Sequence, residues 1–442
     1  MALLPEAVAP AGAGTPPGTG AYPWFVVGIL MLFSLLAFVD RQDLNLMVGP
    51  IRADLGISDT QVSLLLGMAF ALFYTLASFP LGRLADQTSR RGLIAAGVVV
   101  WSLATAAFGI ARQYSHLVLA RIGVGIGEAV LAPSAYSMIA DTFPRERLGR
   151  AMGVYATGVY LGSGLAFVLG GAVILFALRQ ESWAVPLIGM VRSWQLVFLI
   201  LGAAGLAMVL LLATVREPPR HPSHAPAHFP ALRAAFLARR SVLLRHNLGF
   251  AFLSMSAYSS AAWLPSYFVR VHGWEVSRFA LIYGLIILTC CTAGALLGGL
   301  YSDRLYRRGV ADAPMRIAAW AAGLSLPFGL LFVFPDNPVW AAALIVPAAV
   351  LADVPTGVAP AALQQLAPAN MRGQATALYL FFNNMIGLGL GPTLVALCTD
   401  YLFRDDHAVG WSMLIVCGLA QLAGWLLLMG ALGPYRQALK AV

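Results

Sequence analysis

Stretches of about 20 mostly apolar residues recur along nearly the whole chain, separated by short segments that collect arginine, proline and glycine. Hydrophobic residues make up 60% of the 442 residues, and charged residues only 11%. A soluble protein of this length could not bury so much apolar surface, so lipid must surround much of the chain. The pattern therefore predicts an all-α integral membrane protein built from many transmembrane helices.

Twelve stretches are long and apolar enough to form transmembrane helices. Residues 1–22 carry Glu6 as their single charge and lack the basic start of a signal peptide, so we expect a disordered N-terminal tail. The predicted spans cover 23–49, 60–82, 92–111, 115–140, 149–177, 193–215, 246–269, 277–301, 315–335, 338–366, 373–400 and 409–432.

The basic residues predict the orientation of these spans. With a cytoplasmic N-terminus, nineteen of the 28 basic residues fall in cytoplasmic segments and seven on the other side. The positive-inside rule therefore favours a multi-pass protein of a bacterial inner membrane, with both termini in the cytoplasm. The net charge of +9 reports this topology, and because the arginines are spread over short loops, no nucleic-acid partner is expected.

An internal repeat divides the chain into two related halves. A shift of 217 positions superimposes Gly56 on Gly273 and Gly67 on Gly284, so the second and eighth spans are equivalent. We predict a six-helix bundle over 23–215, a cytoplasmic linker over 216–245, a second bundle over 246–432 and a C-terminal tail over 433–442. Parallel halves of this kind are typical of transporters, with a substrate site between them near the middle of the membrane.

The repeat includes a charged loop that resembles a family signature. Gly82-Arg-Leu-Ala-Asp86 with Arg90 and Arg91 is similar to the loop between the second and third spans of the major facilitator superfamily. The same shift gives Asp303, Arg307 and Arg308 in the second half. The resemblance covers about residues 23–432 and implies that fold, with two pseudo-symmetric six-helix bundles. These seven residues are predicted to form a cytoplasmic gate, in which Asp86 contacts a neighbouring helix end and arginines.

Further motifs resemble the Spinster-like group within that superfamily. They are Val39-Asp-Arg41 in the first span, Arg121-Ile-Gly-Val-Gly-Ile-Gly-Glu-Ala129 in the fourth, and Pro133-Ser-Ala-Tyr-Ser137 after it. Symporters of sugar acids and other organic anions share a similar Asp-Arg pair and a Gly-x-Gly-Glu-Ala stretch. The Spinster resemblance implies a single-chain, lipid-like substrate such as a lysophospholipid or a sphingoid phosphate, and the symporters remain the alternative.

Ionisable residues deep inside predicted spans are functional candidates, because each charge there is costly, and we select five of them. They are Asp40, Arg41, Arg121, Glu128 and Asp353. Arg121 and Glu128 are two helical turns apart and share one face, which we expect to line the pathway. A static ion-pair network that fixes helix register is the structural alternative. We predict that Asp40 and Glu128 carry protons, and that Arg41, Arg121 and Asp353 bind substrate.

Aromatic and amide side chains could complete the predicted substrate pocket. They are Tyr155, Tyr160, Tyr258, Trp263, Tyr379, Asn383 and Asn384. No nucleophile and base, metal-ligand spacing or cofactor loop lies in a span, so we predict neither an enzyme nor a metal or cofactor. The expected partners are a small-molecule or lipid substrate, protons and the bilayer, with the protein as a monomer.

Overall fold

The structure, a computed structural model, describes residues 20–143, 145–219, 239–366 and 372–440. Within these ranges, ten helices are long and apolar enough to cross a membrane by length and composition. The seventh span, with 31 residues, and the ninth, with 19, complete the predicted twelve. The seventh is less apolar because it opens with polar residues, among them Arg245, His246 and Asn247.

The second, eighth and eleventh spans contain π-helical segments, and the fourth span is divided into two helices. In chain order the spans are Ala21–Leu46; Asp59–Ser63, Leu64–Met68 (π) and Ala69–Gln87; Arg90–Phe108; Tyr114–Glu128 and Leu131–Thr142; Arg145–Ala177; Ser193–Val209; Arg240–Arg270; Val276–Ile286, Ile287–Cys291 (π) and Thr292–Arg307; Ala313–Leu331; Pro338–Leu366; Arg372–Phe382, Asn383–Leu390 (π), Gly391–Leu397 and Cys398–Phe403 (π); and Val409–Lys440.

Short elements connect the spans at several points. They are the helix Val48–Leu55, the 3₁₀ turns Leu210–Thr214 and Asp406–Ala408, and the strands Ser182–Val185 and Gly189–Arg192. The two strands pair antiparallel as a hairpin between the fifth and sixth spans. The sequence analysis did not predict this hairpin.

Equivalent glycines of the repeat occupy equivalent positions in the two halves. Gly56 and Gly273 precede the second and eighth spans, and both adopt left-handed backbone angles, with φ of 63° and 65°. A Cβ on Gly67 would overlap the Leu388 carbonyl of the eleventh span, and one on Gly284 would lie 2.8 Å from the Gly164 carbonyl of the fifth. The halves therefore meet through two pseudo-symmetric contacts that need these glycines.

A proline explains the break in the fourth span. Two residues separate the end of helix Tyr114–Glu128 from Leu131, where the second helix begins. Pro133 lacks an N–H, and its ring clashes with the carbonyl four residues earlier, at Ala129. Glu128 therefore lies at the last turn of the first helix, beside the interruption.

Two helices extend beyond the predicted boundaries because tertiary contacts stabilise their ends. The twelfth span continues through Pro434 to Lys440, where a disconnected tail was predicted, because Tyr435 is buried and donates a hydrogen bond to the Ala362 carbonyl. The seventh begins at Arg240, inside the range predicted for the linker. Arg245 of this early turn donates to the Gly430 carbonyl at 2.6 Å.

Candidate functional site

An ion pair between the first and fourth spans lies at the centre of the N-terminal half. Arg41 donates from Nε (2.8 Å) and Nη2 (2.5 Å) to the same oxygen, Oε2, of Glu128. The Glu128 side chain is 1% exposed and that of Arg41 21%. The second carboxylate oxygen of Glu128 has no hydrogen-bond partner among the described residues. Glu128 therefore neutralises Arg41 through Oε2, and its Oε1 remains an acceptor without a donor among the described residues.

Arg121 is buried beside this pair without an ion-pair partner of its own in the described part of the chain. Its Nε donates to the Leu65 carbonyl at 3.0 Å, within the π-helical segment of the second span. Its guanidinium also lies 5.1 Å from the centre of the Phe70 ring, and that of Arg41 lies 4.5 Å from the same ring. The Phe70 ring thus lies close to both guanidinium groups and stabilises both.

Asp40 projects from the first span away from the side on which Arg41 and Arg121 lie. It is buried, and its Oδ2 accepts a hydrogen bond from the Thr105 hydroxyl of the third span at 3.0 Å. Its Oδ1 has no partner among the described residues. Asp40 therefore lies within the N-terminal half, behind the surface that carries Arg41.

A small cavity opens on the other face of the first span. Its volume is about 30 Å³, enough for about one or two water molecules, so it marks the place of a polar group without enclosing a whole substrate. It lies between the two halves, because the first, second, fourth, seventh and eleventh spans contribute to it. Its lining residues are Phe38, Arg41, Gln42, Asn45, Leu66, Phe70, Arg121, Tyr258, Ala261, Ala262, Leu388 and Pro392.

The structure therefore brings together four of the five predicted intramembrane charges, but gives them different positions. Arg41 and Arg121 line the cavity, whereas Glu128 is reached only through Arg41, and Asp40 lies behind the first span. Arg121 and Glu128 were expected on one cavity-lining face; in this conformation Arg121 is among the lining residues and Glu128 is not. The break after Glu128 and its bond to Arg41 account for the difference.

Of the other predicted pocket residues, Tyr258 lines this cavity, whereas Tyr155, Trp263 and Tyr379 are not among its lining residues. Tyr155 is buried and packs edge-on against Tyr136, with ring centres 5.2 Å apart. Tyr379 packs near His246 and Phe250, 5.8 and 6.2 Å from their ring centres.

Three more predicted residues lie in the C-terminal half. Asp353 is half-buried near the Thr356 hydroxyl, at 3.4 Å. Asn383 and Asn384 are half-buried in the π-helical segment of the eleventh span. The side chain of Tyr160 lies outside the described residues.

Sequence reasoning missed three polar residues of the first span. Gln42 and Asn45 line the cavity, and the Asn45 amide donates to Gln42 Oε1 at 2.6 Å. Asp43 is fully buried on the opposite face. The rule that selected Asp40, an acid inside an apolar span, also selects Asp43, so this signal was available in the sequence.

The charged loop after the second span makes contacts within the N-terminal half. Arg90 is 1% exposed and bonds to Asp141, to Glu217 (3.0 Å) and to the Pro218 carbonyl. Arg91 donates from its backbone N to Glu217 at 2.9 Å. Burial raises the pKa of Glu217, but the bonds from Arg91, Arg90 and Ser89 outweigh burial and lower it overall. The loop therefore fixes the start of the linker against the third span.

The other predicted gate residues make few contacts in the described structure. Asp303, Arg307 and Arg308 are exposed, and Arg307 Nε lies 3.5 Å from the Asp303 carbonyl. A Cβ on Gly82 would meet no atom within 4 Å. The side chain of Asp86, the central residue of the predicted gate, lies outside the described residues.

The two halves are joined by charged groups at the opposite end of the bundle, which we call the Asp59 end (residues 47–60, 270–276 and 400–408). Asp59 is fully buried and accepts from Arg270 at 2.5 and 2.8 Å. Asp400 accepts from the backbone N and the hydroxyl of Thr60, both at 2.7 Å, at the N-terminus of the second span. Arg52 donates to Asp406 at 2.8 Å. The conformation is thus closed at the Asp59 end.

Comparisons with known proteins agree with this architecture. Residues 30–392 match the family model of the Major Facilitator Superfamily. The chain is 29% identical over 427 residues to an "MFS-type efflux pump" of Mycolicibacterium smegmatis, covering 94% of each protein. It is 25% identical over 419 residues to a "Probable L-galactonate transporter" of Escherichia coli, covering 90% of this chain and 86% of that protein.

A solved structure is similar over nearly the whole chain. It is a bacterial homologue of the human lysosomal transporter Spinster, in an inward-facing and occupied conformation. The TM-score is 0.78 at 26% sequence identity, and the match covers 96% of this chain and 98% of that one.

Proposed function

This chain belongs to the major facilitator superfamily, whose members are transporters and not enzymes, and on that premise we propose that it moves a single-chain amphiphile with an anionic head group by proton-dependent alternating access. A lysophospholipid or a sphingoid phosphate fits this description. The Spinster-like motifs and the similarity to a bacterial Spinster homologue support the choice.

One observation carries the proposal: two arginines, Arg41 and Arg121, face one cavity between the halves, and Glu128 neutralises only Arg41. The guanidinium of Arg121 is buried, and an anionic substrate group beside it would supply the negative countercharge that no ion pair provides in the described structure. The other walls include Phe38, Leu66 and Leu388, which suit an alkyl chain. A phosphate head group would therefore bind between the arginines, with its chain along the apolar helices.

Proton coupling follows from competition for Arg41. While Glu128 is ionised, its Oε2 occupies both donors of Arg41 that face it. A proton on Glu128 removes that charge, so Arg41 becomes free to bind the substrate anion. Asp40, bonded to Thr105 behind the same helix, is the second proton carrier in the proposal. Proton binding and anion binding would then favour each other, which is the coupling a symporter requires.

Alternating access would use the contacts at the two ends of the bundle. If the arginine distribution gives the orientation, the closed Asp59 end is periplasmic and this conformation faces the cytoplasm. The loop with Asp86 and its repeat at Asp303 would join the halves in the opposite, outward-facing state. Asp353, Tyr155, Tyr160, Tyr379, Asn383 and Asn384 would line parts of the pathway that this conformation does not bring to the cavity.

Flux in proteoliposomes tests this function. With an imposed proton gradient, wild-type protein should transport a labelled lysophospholipid or sphingoid phosphate saturably. Arg121→Ala should lose binding, whereas Arg192→Ala, an exposed arginine on the hairpin, is the matched control that should keep it. Glu128→Gln and Asp40→Asn should remove the pH dependence of transport. Wild-type transport and pH dependence in both acid variants would refute the coupling assignment.

A second candidate is a proton-coupled symporter of sugar acids or other small organic anions. The structure adds one observation in its favour: Gln42, Asn45 and Tyr258 line the cavity and can bind hydroxyl groups. Similarity to a protein described as a probable L-galactonate transporter supports the same class. Saturable uptake of a hexuronate or hexonate, without competition by lysolipid, would establish this alternative with the same arginines.

A further inference from the structure

Asp43 is the one fully buried acid of the described spans that the proposed mechanism does not use. It lies within the first span, has no exposed surface, and neither of its carboxylate oxygens has a hydrogen-bond partner among the described residues. It takes part in none of the ion pairs found in the same ranges. An acid in this position needs an explanation, because buried polar groups are normally paired.

The position of Asp43 separates it from the cavity. Phe38, Arg41, Gln42 and Asn45 occupy the face of the first span that lines the cavity. Asp43 is three residues after Asp40, so both acids project from the other face, and Arg41, two residues before it, points elsewhere. With a rise of about 1.5 Å per residue, Asp43 lies roughly 4.5 Å nearer to the Asp59 end than Asp40 does.

Among the described residues, no cationic side chain forms an ion pair with Asp43. The fifth span meets it at Gly170, where a Cβ would overlap Asp43 Oδ1. The neighbouring residues of the first span belong to an apolar cluster shared with the third, fifth and sixth spans, which includes Val39, Met47, Phe108, Phe167, Ile174 and Val197. Asp40, one turn earlier on the same face of the first span, is another acid. The two arginines that line the cavity are engaged elsewhere, Arg41 with Glu128 and Arg121 with the Leu65 carbonyl.

A carboxylate with this environment cannot remain ionised at small cost. Burying an ion without a partner costs several kcal/mol, and a second carboxylate one turn away adds repulsion. A proton bound to Asp43 removes both the cost of burying its charge and the repulsion from Asp40. We propose that Asp43 is a further proton-binding site, held as a neutral carboxylic acid in this conformation, and that it exchanges its proton with Asp40.

The exchange is balanced as a transfer between two carboxyl groups. The proton on Asp43 moves to the Asp40 carboxylate, which becomes neutral, and Asp43 becomes the carboxylate that a proton from the Asp59 end must neutralise. Asp40 Oδ1, which has no partner in the described structure, is the acceptor this step requires. Asp43 would thus lie between the Asp59 end and Asp40, the second proton carrier of the proposed function. This role in coupling rests on the proposed function, whereas the protonation of Asp43 does not.

Infrared spectroscopy of the purified full-length protein in nanodiscs tests the protonation directly. At pH 7, wild-type protein should show the C=O stretch of protonated carboxyl groups, and Asp43→Asn should lose one carboxyl group's share of that band. Asp54→Asn is the control, because Asp54 is paired with Arg192 at 2.7 Å and should contribute nothing to the band. Gly170→Ala leaves the acid in place but crowds Oδ1, so it should move the frequency of the same component.

The results separate this inference from the proposed function. An Asp43 band in a protein without proton-driven flux would support the site and refute the transport mechanism. An unchanged band in folded Asp43→Asn, or an unshifted band in Gly170→Ala if the first variant does not fold, would refute the site.

Discussion

Neutralising Asp59 should open the end of the bundle at which the two halves meet. Asp59 has no exposed side-chain surface, and it accepts two bonds from Arg270 across the halves and lies 3.1 Å from Arg52. Removing one partner of a buried ion pair costs about 3–5 kcal/mol. The Arg270 and Arg52 side chains are 13% and 22% exposed, so water can partly solvate their charges once the Asp59 carboxylate is removed. We therefore expect a cost near the lower limit of this range.

A loss of about 3 kcal/mol from the closed state shifts the equilibrium toward the open state roughly a hundredfold. Asp59→Asn should therefore convert a closed population into one with a substantial open fraction at the Asp59 end. Spin labels at Ala53→Cys and Glu275→Cys, one in each half, report this in pulsed electron resonance distances. The labels require a background in which the four native cysteines are replaced.

Arg192→Gln provides the matched control for this measurement. Its ion pair with Asp54 lies at the same end but within one half, and the Arg192 side chain is 65% exposed. This variant should leave the distance distribution unchanged, since an exposed pair contributes at most about 1 kcal/mol. An unchanged distribution in Asp59→Asn would refute the assignment of this ion pair as the contact that closes the end.

The remaining predictions concern topology, helix packing and pH. Cysteines at Ala225 and Gln437 should react with impermeant reagents from the cytoplasmic side alone, and periplasmic labelling of either would overturn the orientation. Gly67→Ala should lower the melting temperature and the closed population because its Cβ would overlap a carbonyl of the eleventh span, whereas Gly28→Ala, with no atom within 4 Å of its Cβ, should not. Because its pKa is lowered on folding, Glu217 should stabilise the protein above its unfolded pKa and lose that contribution as the pH falls through its folded pKa. In melting curves from pH 7 to 3, Glu217→Gln should therefore be less stable than wild type at pH 7, by less than about 1 kcal/mol because the side chain is 30% exposed, and this difference should shrink as the pH falls.

The sequence predicted the helices better than their ends. The apolar stretches and the repeat predicted twelve spans in two related halves, because lipid imposes long apolar helices on any chain that crosses it. The extension of the twelfth span to Lys440 depends on buried Tyr435, which contacts a residue 73 positions earlier. Local apolarity does not report such a contact.

At the candidate site, the sequence likewise predicted which residues matter but not which residues they contact. The cost of a charge in a membrane selected Asp40, Arg41, Arg121 and Glu128, and the structure places these four in neighbouring spans. The same criterion should have selected Asp43. The contacts among these charged residues were not predictable from the sequence, since the Arg41–Glu128 bond joins residues 87 positions apart.

The sequence by itself determined the membrane environment, the duplicated six-helix halves, the family resemblance and the identity of the costly charges. Apolar length, repeat period and charge are properties of single segments, and they persist whatever the segments pack against. The tertiary structure alone decided that Arg41 faces the cavity while Asp40 and Asp43 face the interior of one half, and that Arg270 closes the Asp59 end across 211 positions. The rotation and relative height of packed helices set these relations, and both depend on the whole set of interhelical contacts.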